Sequence, residues 1–531
     1  MNLHAALSDW QTLLGPSNVL LGNAVSLAYG MDASGVQRDI PAALRISDAA
    51  LLPQVMRTAQ THRIAVYPLS TGRNWGYGTA MPVKDGCVII DLSALRRILH
   101  FDAELGVVTV EPGVTQEMLA DFLDAGKFPY LVPVTGAGPT CSLMGNALER
   151  GYGITPHADH FGAVTDLEAV LADGTLYRTA LRESGGDDLA RLFKWGIGPY
   201  STGLFSQSGF GVVTRMSIAL ARRPQCIKVC LFSLHDEALL EPIAGRIRSI
   251  LSDLPGILGA INLMNRHRVL AMTAPFPADR LGPDGLIPPA VIQALGKQYQ
   301  VQPWTGFATL YGTKRVVAAA QKEMRTALGG IASRVLFLTP RQARTLQRLA
   351  SWLPGSIGKR LYSTAATLSN SLELVAGRPN ETALPLAYWR NREPPKGRWR
   401  DPSRDGCGMI WYAPLVPMRP ATVCNYVDMV RQVTRQYGLE PLITLTSIND
   451  KLFDSTVPLL FERNDPDALR AARACYMALI EAGRGLGCFP YRLNVDAMGE
   501  MAARSAESVT FHARLREAFD PHNLLAPGRY A

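Results

Sequence analysis

The chain has 531 residues, of which 47% are hydrophobic and 19% are charged, and this balance is typical of globular proteins rather than disordered ones. Its formal net charge of +9 comes from 54 basic and 45 acidic residues scattered along the sequence, a pattern that argues against nucleic-acid binding. No apolar run approaches the ~20 residues of a membrane-spanning helix. The first ten residues lack the basic start of a secretory signal, and the eight cysteines contain no Cys-x-x-Cys pair. We therefore expect a cytoplasmic protein with reduced thiols and no membrane segment.

The first part of the sequence alternates predicted helices and strands. Apolar spacing predicts a helix over Ala5–Leu14 and a second over Ser47–Arg63, with Ser47 as its N-cap. Continuous apolar runs predict strands over Cys87–Leu92 and Gly106–Gly113, and a helix follows over Thr115–Ala125. This order favours a mixed α+β fold over a dinucleotide-binding Rossmann sheet.

A glycine-punctuated turn, Pro68–Gly78, separates two of the apolar runs. Its sequence is Pro-Leu-Ser-Thr-Gly-Arg-Asn-Trp-Gly-Tyr-Gly. Glycines permit positive φ angles, so that successive N–H groups can point inward and bind a phosphate. No P-loop lysine follows, and no helix-opening Gly-x-Gly-x-x-Gly is present. By itself the turn is equally typical of a tight connection without a ligand.

Four further stretches of the chain also contain recognisable sequence motifs. They are the glycine-rich Gly136–Gly153, the segment Trp195–Thr214, the short Phe489–Arg492 and the C-terminal Phe519–Arg529. Together with Ser-Thr-Gly-Arg-Asn-Trp-Gly-Tyr-Gly they closely resemble the vanillyl-alcohol oxidase / p-cresol methylhydroxylase family of flavoproteins. The resemblance is weak between about residue 224 and residue 487.

The resemblance implies a two-domain flavoprotein of the α+β class. Its FAD-binding domain would be built from both chain ends, residues 1–223 and 488–531, and a central α+β cap domain with an antiparallel sheet would occupy residues 224–487. The motifs that match the family would bind FAD through Ser70, Thr71, Gly72, Arg73, Asn74, Gly76, Gly78, Pro139, Ser142, Gly145, Asn146, Arg150, Gly151, Gly153, Gly211, Val212 and Arg529.

In the family, two tyrosines and an arginine hold a para-substituted phenol as its phenolate, and the matching residues here are Tyr77, Tyr491 and Arg492. Three donors aimed at one oxygen lower the pKa of a phenol, which makes the para benzylic hydride easier to remove. The resemblance implies transfer of that hydride to flavin N5 and a quinone methide that yields an alcohol or an aldehyde. Asp159 matches the family carboxylate beside N5 and would act as a base.

Other interpretations of the predicted catalytic residues stay open. A tyrosine next to an arginine is usually a packing or surface pair, and Arg492 could instead bind the carboxylate of a hydroxy acid or serve a non-phenolic alcohol. A catalytically inactive flavoprotein subunit is a further alternative. His157, Asp159 and His160 lie close enough in sequence to suggest metal ligands, but no fourth ligand accompanies them, and we predict no metal site.

Covalent attachment of the flavin is the weakest implication of the resemblance. Met409 stands where one branch of the family carries its attachment histidine, and methionine cannot form that bond. Tyr388 is the candidate for the tyrosine linkage of the other branch. We predict noncovalent FAD, with Tyr388 as the alternative covalent site.

The predicted partners follow from the same resemblance. A cytochrome or another electron-acceptor protein could take the electrons, since the chain contains no haem motif, and a homodimer is compatible with the family. A basic, proline-containing stretch, Arg390–Arg404, is either a plain solvated loop or a docking site for an acidic partner. Its cations are Arg390, Arg392, Lys396, Arg398, Arg400 and Arg404.

Overall fold

The computed structural model describes residues 2–352, 355–391, 393–499 and 506–530, so the predicted basic residue Arg392 lies outside the described residues. Within these ranges, no helix is both long enough and apolar enough to cross a bilayer.

The N-terminal part of the chain contains seven α-helices and nine strands in the described residues up to 219. The helices are α1 (Leu3–Leu14), α2 (Asn23–Tyr29), α3 (Leu52–His62), α4 (Gln116–Ala125), α5 (Leu143–Leu148), α6 (Ala180–Glu183) and α7 (Asp187–Ala190). The strands are β1 (Val19–Leu21), β2 (Ala42–Arg45), β3 (Val66–Leu69), β4 (Val88–Asp91), β5 (Ile98–Asp102), β6 (Val107–Val110), β7 (Val164–Val170), β8 (Leu176–Tyr177) and β9 (Val212–Ala219).

The remainder of the described chain contains the second group of elements. Its strands are β10 (Cys226–Leu234), β11 (Leu258–Asn265), β12 (Trp304–Gly312), β13 (Arg334–Leu338), β14 (Cys407–Tyr412), β15 (Pro414–Pro417), β16 (Thr444–Ser447), β17 (Leu452–Glu462) and β18 (Phe489–Pro490). Its α-helices are α8 (Leu240–Asp253), α9 (Arg266–Thr273), α10 (Pro289–Tyr299), α11 (Lys314–Leu328), α12 (Pro340–Ala350), α13 (Gly355–Val375), α14 (Pro420–Gln436), α15 (Pro466–Gly485) and α16 (Ala506–Phe519). Short 3₁₀ turns cover Pro16–Asn18, Ala49–Leu51, Thr202–Phe205, Glu237–Leu239, Ala278–Arg280, Leu384–Tyr388 and Val495–Ala497.

Two small sheets form the N-terminal part, and the C-terminus returns to one of them. The first has the strand order β1-β2-β4-β3 and the second the order β5-β6-β9-β7-β8. Leu524 accepts a hydrogen bond from the Val66 N–H at 2.8 Å, and the Ala526 N–H donates back to Val66 at 2.8 Å, beside the edge of the first sheet. The domain that carries the glycine-rich turn is therefore built from both chain ends, as predicted.

The central part is an antiparallel sheet of nine strands, also as predicted. Its path is β13-β10-β12-β11-β16-β17-β15-β18, and β14 pairs with β17 beside it. Helices α8, α11, α14 and α15 cover it with fully buried side chains such as Ile247, Val317 and Tyr426. Since β18 pairs with β15, residues 489 and 490 join this sheet just before the clamp pair predicted at Tyr491 and Arg492.

One detail of the predicted elements is wrong. The helix predicted over Ser47–Arg63 begins with the 3₁₀ turn Ala49–Leu51, and Asp48 rather than Ser47 caps it, because the Asp48 carboxylate accepts a hydrogen bond from the Ala50 N–H. Aspartate and serine are similarly good caps, so composition alone does not choose between neighbours.

Candidate active site

A long cavity of about 1710 Å³, including the space open to solvent, runs between the two small sheets and the nine-stranded sheet. The glycine-rich turn between β3 and β4 supplies one wall. Nine of its residues line the cavity, namely Pro68, Leu69, Ser70, Thr71, Gly72, Arg73, Asn74, Trp75 and Tyr77.

Backbone hydrogen bonds hold this turn against the C-terminal segment and against β14. The Val495 N–H donates to the Tyr77 carbonyl at 2.9 Å, and the Trp411 N–H donates to the Gly76 carbonyl at 3.0 Å. Gly76 has a φ of +80°, and a Cβ there would lie 3.1 Å from the Trp411 Cβ, so both the conformation and the close approach require glycine. Segments more than 400 residues apart in sequence thus meet at one point.

Tyr77, Tyr491 and Arg492, the three predicted clamp residues, come together in the cavity wall. The Arg492 guanidinium lies over the Tyr77 ring at 4.1 Å from its centroid, and its Nη2 donates to Asn74 Oδ1 at 2.8 Å. Tyr77 is 5% exposed and Arg492 is 8% exposed. The Arg492 Nε is buried without a hydrogen-bond partner in the described residues, so the guanidinium retains an unused donor.

Burial sets the protonation of these side chains. It raises the pKa of Tyr77, an effect that the nearby Arg492 partly offsets. Burial also raises the pKa of Tyr491, with the neighbouring Asp454 acting in the same direction. Both phenols are therefore hydrogen-bond donors at neutral pH, as the clamp requires.

Asp454, on β17, is a functional residue that the sequence reasoning missed. It is 5% exposed, lines the cavity and accepts a hydrogen bond from the Tyr491 hydroxyl at 3.3 Å. Burial raises the pKa of Asp454 to about 7, although Arg492 and Tyr491 both act to lower it. Its Oδ1 is buried and lacks a partner in the described residues. Its strand also contains Ser455, Thr456 and Glu462, so no local pattern in the sequence distinguishes Asp454.

The second glycine-rich stretch forms the neighbouring wall of the cavity through α5. Ser142 caps this helix by accepting a hydrogen bond from the Gly145 N–H at 2.9 Å, and the Ser142 N–H donates to Thr71 Oγ1 at 3.1 Å. A Cβ on Gly145 would lie 2.3 Å from Ser70 Oγ, so the two loops are packed too closely for any side chain there. The Ser208 Oγ of the segment before β9 is buried without a partner in the described part of the chain.

These features fit FAD. The cavity is lined by two loops with adjacent hydroxyl and N–H groups, and Ser208 contributes a hydroxyl without a partner in the described residues. These are the donors that the pyrophosphate of a dinucleotide needs. Arg529 adds a cation to the same wall, where it donates to the Tyr67 hydroxyl at 2.8 Å and pairs with Glu149.

The predicted cofactor residues divide into two groups. Ten of them line the cavity, namely Ser70, Thr71, Gly72, Arg73 and Asn74 of the turn together with Ser142, Gly145, Asn146, Gly211 and Arg529. The others lie behind the wall and shape it. Arg150, for example, donates from Nε to Ser206 Oγ at 3.1 Å, and a Cβ on Gly151 would lie 2.0 Å from Asn146 Oδ1. This second group comprises Gly76, Gly78, Pro139, Arg150, Gly151, Gly153 and Val212.

Asp159 pairs through the backbone with Tyr152, a cavity residue whose ring packs against Tyr491 at 5.5 Å between centroids. The Asp159 side chain is exposed, accepts a hydrogen bond from the Gly162 N–H at 2.8 Å and does not line the cavity. The role of Asp159 as a base stays a prediction, and the carboxylate that does line the cavity is Asp454. The neighbouring His160 is buried, its Nδ1 contacts the Asn146 amide, and burial lowers its pKa to about 4.

The two positions considered for covalent attachment differ in their surroundings. Met409 is buried in the cavity wall, and its Cγ would be 3.5 Å from a Cβ on Gly76. The Tyr388 hydroxyl donates to Asp405 Oδ2 at 2.6 Å, and Tyr388 lines a separate cavity near Trp389 and Phe276. Its neighbours Leu386 and Ala387, rather than Tyr388, line the main cavity.

Arg268, on α9, is the second cavity residue that the sequence reasoning missed. It is 7% exposed, and its guanidinium lies over the Trp411 ring at 5.7 Å from the centroid. Its Nε and Nη1 are buried without a hydrogen-bond partner among the described residues. Nothing in the sequence separates Arg268 from Arg266, two residues earlier in the same helix.

The basic stretch Arg390–Arg404 is largely neutralised by local pairing. Arg398 Nη2 lies 3.7 Å from Glu117 Oε1, and Arg400 Nη1 lies 2.9 Å from Glu381 Oε2. Arg404 Nε lies 2.8 Å from Asp405 Oδ1. Arg390 packs over the Phe276 ring at 4.9 Å. Docking of an acidic partner here stays a prediction, and these pairings leave it few free cations.

Comparison with known proteins agrees with an FAD-binding site in this cavity. Residues 41–180 match the family described as FAD binding domain. The chain is 32% identical over 530 residues to the 1'-carboxy-chondrochloren decarboxylase of Chondromyces crocatus, covering 99% of this chain and 97% of the relative. It is 26% identical over 532 residues to the flavoprotein subunit of 4-cresol dehydrogenase (hydroxylating) of Pseudomonas putida, covering 99% and 94%.

The fold is that of a solved relative. The crystal structure of p-cresol methylhydroxylase with substrate bound matches 100% of this chain and 96% of its own length, with a TM-score of 0.87 at 25% identity. The predicted fold, cofactor and oxidoreductase class are thereby confirmed. The chain belongs to the vanillyl-alcohol oxidase / p-cresol methylhydroxylase family of FAD-dependent oxidoreductases.

Proposed function

We propose that this oxidoreductase removes a hydride from the benzylic carbon of a para-substituted phenol. The observation that carries the proposal is the convergence of Tyr77, Tyr491 and Arg492 in one cavity wall, with the guanidinium 4.1 Å from the Tyr77 ring centroid and one of its N–H groups unused. A phenol oxygen bound by these donors is favoured as its anion.

The phenolate matters because its negative charge is delocalised onto the para carbon. Loss of hydride from the attached benzylic carbon then leaves a neutral quinone methide instead of a high-energy cation. The clamp thus lowers the barrier by stabilising the ionised form before the hydride leaves. FAD, when bound, supplies the hydride acceptor.

Asp454 is the group that we propose to receive the phenol proton. It accepts a hydrogen bond from Tyr491 at 3.3 Å, so a proton can move from the phenol to Tyr491 as Tyr491 passes its own proton to Asp454. A pKa near 7, which burial produces, leaves this carboxyl able to exchange protons at neutral pH.

Two fates of the quinone methide are compatible with the family. Addition of water at the benzylic carbon gives an alcohol, and a hydroxyl already present there gives an aldehyde.

The second candidate reaction is decarboxylation, which applies if the para chain carries a carboxylate on the carbon next to the benzylic one. The C–CO₂⁻ bond breaks, its electron pair forms the new C=C bond and restores the phenolate, and CO₂ leaves.

Two observations support decarboxylation as this second candidate reaction. The relative at 32% identity is named a decarboxylase of a carboxylated compound. The cavity also contains Arg268, a buried cation that no carboxylate among the described residues neutralises.

Anaerobic mixing with matched compounds tests the proposal. We expect 4-ethylphenol to bleach the flavin of the wild-type protein and its methyl ether, 4-ethylanisole, to leave it oxidised, because the ether has no proton to lose. Arg492→Ala should slow the bleaching by ~10² or more while retaining FAD, since a charged donor to the developing anion is lost. Rapid bleaching by the ether, or near-normal bleaching in the variant, would favour a non-phenolic alcohol or hydroxy acid instead.

An electron-acceptor protein is part of the proposal as a partner. The support is that the Pseudomonas putida relative is named as a flavoprotein subunit, which implies a further subunit in that enzyme. Comparing reoxidation by oxygen with reoxidation by a c-type cytochrome would distinguish an oxidase from a dehydrogenase.

A further inference from the structure

We propose that Arg268 is a specificity-determining residue that binds a carboxylate on the para side chain of the substrate. This inference rests on the proposed function and goes beyond it, because it names a second anionic group on the substrate, distinct from the phenolate oxygen, and the residue that recognises it.

The first observation is that Arg268 is a buried cation with unused donors. The side chain is 7% exposed, and both Nε and Nη1 are buried without a partner in the described residues. A buried charge without a counter-charge and buried N–H donors without an acceptor both destabilise the folded protein unless a ligand pairs with them. The guanidinium carbon lies over the Trp411 ring at 5.7 Å from the centroid, a cation–π contact that uses none of the N–H donors.

The second observation is that the backbone around Arg268 is fixed. Asn265 caps α9, with its Oδ1 accepting hydrogen bonds from the Arg268 N–H at 3.0 Å and from the Ile443 N–H at 3.1 Å. Its Nδ2 donates to the Pro441 carbonyl at 2.6 Å, and Asn265 is 1% exposed. This helix start fixes the backbone from which the Arg268 side chain reaches the cavity wall.

The third observation concerns which part of the cavity Arg268 faces. Met264, near the end of β11, pairs with Thr444, and Thr444 pairs with Thr456, which lines the cavity beside Asp454. The backbone N–H of Trp411 donates to the carbonyl of Gly76, the neighbour of Tyr77, at 3.0 Å. Arg268 and Asp454 therefore both belong to the nine-stranded sheet and the helix that follows its strand β11, whereas Ser70 and Ser142 of the predicted pyrophosphate cradle come from the loops of the two small sheets.

The chemistry of the ligand follows from these points. A planar guanidinium with free N–H donors matches a carboxylate, which can accept two parallel hydrogen bonds. Burial lowers the pKa of Arg268 to about 10, so the group is still charged at neutral pH. A phenol with a carboxylate on its para chain would meet the clamp at one end and Arg268 at the other.

Three phenols that differ only at the chain end test the inference, namely 3-(4-hydroxyphenyl)propanoate, its amide and 4-propylphenol. Binding is measured from the change in flavin absorbance on mixing, and reaction from anaerobic bleaching. We expect the wild-type protein to bind the propanoate more tightly than the amide or 4-propylphenol. Arg268→Met should weaken propanoate binding by ~30-fold or more, as expected for loss of a buried charged hydrogen bond, and should change 4-propylphenol binding less than ~3-fold.

Two further variants control for structure. Arg268→Lys keeps the charge and should recover part of the propanoate affinity. Arg266→Met removes an arginine of the same helix that does not line the cavity and should leave the order of the three phenols unchanged. An unchanged flavin spectrum after gel filtration shows that each variant is folded.

The outcomes separate this inference from the proposed function. Equal binding of propanoate and amide by the wild type, an equal loss for all three phenols in Arg268→Met, or release of FAD from that variant would each overturn the carboxylate site. Bleaching by 4-propylphenol without an Arg268-dependent preference leaves the phenol proposal standing alone. Arg268-dependent propanoate binding with no bleaching by any phenol would overturn the phenol proposal and retain the carboxylate site.

Discussion

At the scale of single residues, the site depends on groups whose chemistry is changed by burial. Asp454 is the clearest case, because burial raises its pKa to about 7 and brings its titration into the physiological range. The surrounding groups are Arg492, which favours the ionised form, and Tyr491, which donates to it at 3.3 Å.

We expect the rate of flavin reduction by 4-ethylphenol to rise with pH through about 7, because only ionised Asp454 can accept a proton. In Asp454→Asn, flavin reduction by 4-ethylphenol should be slower, and its rate should no longer rise with pH. Stopped-flow absorbance between pH 5.5 and pH 9 measures both effects. Glu440→Gln is the matched control, since burial also raises the pKa of Glu440 to about 7 but the residue does not line the cavity. A profile in Asp454→Asn that matches the wild type would assign the proton to another group.

The same shift predicts a pH dependence of stability. The pKa of Asp454 is about 7 in the folded protein against an ordinary value of 3.8, so the folded state holds the proton more tightly than the unfolded chain. Stability therefore falls as pH rises through this window, and the loss is complete above about pH 7. Asn cannot ionise, so the Tm of Asp454→Asn relative to the wild type should increase between pH 5 and pH 8. A constant or decreasing difference in thermal melts would contradict the assignment.

The sequence identified some of these residues and missed others for physical reasons. Tyr77, Tyr491 and Arg492 lie in short sequence motifs, which can be recognised from consecutive residues without knowledge of the fold. Asp454 and Arg268 owe their roles to burial by distant strands, and burial of an isolated charged residue has no local sequence signal.

At the scale of elements, the cofactor cavity depends on the close packing of α5 against the turn between β3 and β4. Gly145→Ala should sharply reduce FAD retention, because its Cβ would lie 2.3 Å from Ser70 Oγ and separate the two loops. Gly485→Ala on α15 is the matched control, since no atom lies within 4 Å of its Cβ position, and it should retain the cofactor. The flavin-to-protein absorbance ratio after gel filtration is the measurement. Full retention in Gly145→Ala would mean that α5 is not part of the cradle.

Helices and strands with regular apolar spacing were predictable within a few residues, α4 and β4 among them. The register of the nine-stranded sheet was not, because the pairing of β14, β15 and β18 with partners far along the chain depends on packing between segments. That sheet also supplies Asp454 and the strand that precedes α9. The part of the fold that the sequence described least therefore contains the residues that it missed.

At the scale of the whole molecule, the two chain ends and the central sheet enclose the main cavity, and Tyr388 is not among the described residues that line it. The Tyr388 hydroxyl is hydrogen-bonded to Asp405, and Met409 occupies the other candidate attachment position. We expect acid precipitation to release the yellow colour into the supernatant, and Tyr388→Phe to behave like the wild type. Colour that stays in the wild-type pellet and moves to the supernatant in Tyr388→Phe would establish a tyrosine linkage.

The measurement that most directly tests the central claim is the ionisation state of a phenol bound at the clamp. With 4-nitrophenol at a pH below its own pKa, the difference spectrum on mixing with the oxidised holoenzyme reports whether the bound form is the phenol or the yellow phenolate. We predict the phenolate spectrum with the wild-type protein and its loss in Arg492→Met, because the guanidinium above Tyr77 is the main charge that favours the anion. A bound but un-ionised nitrophenol in the wild type would contradict the phenolate mechanism.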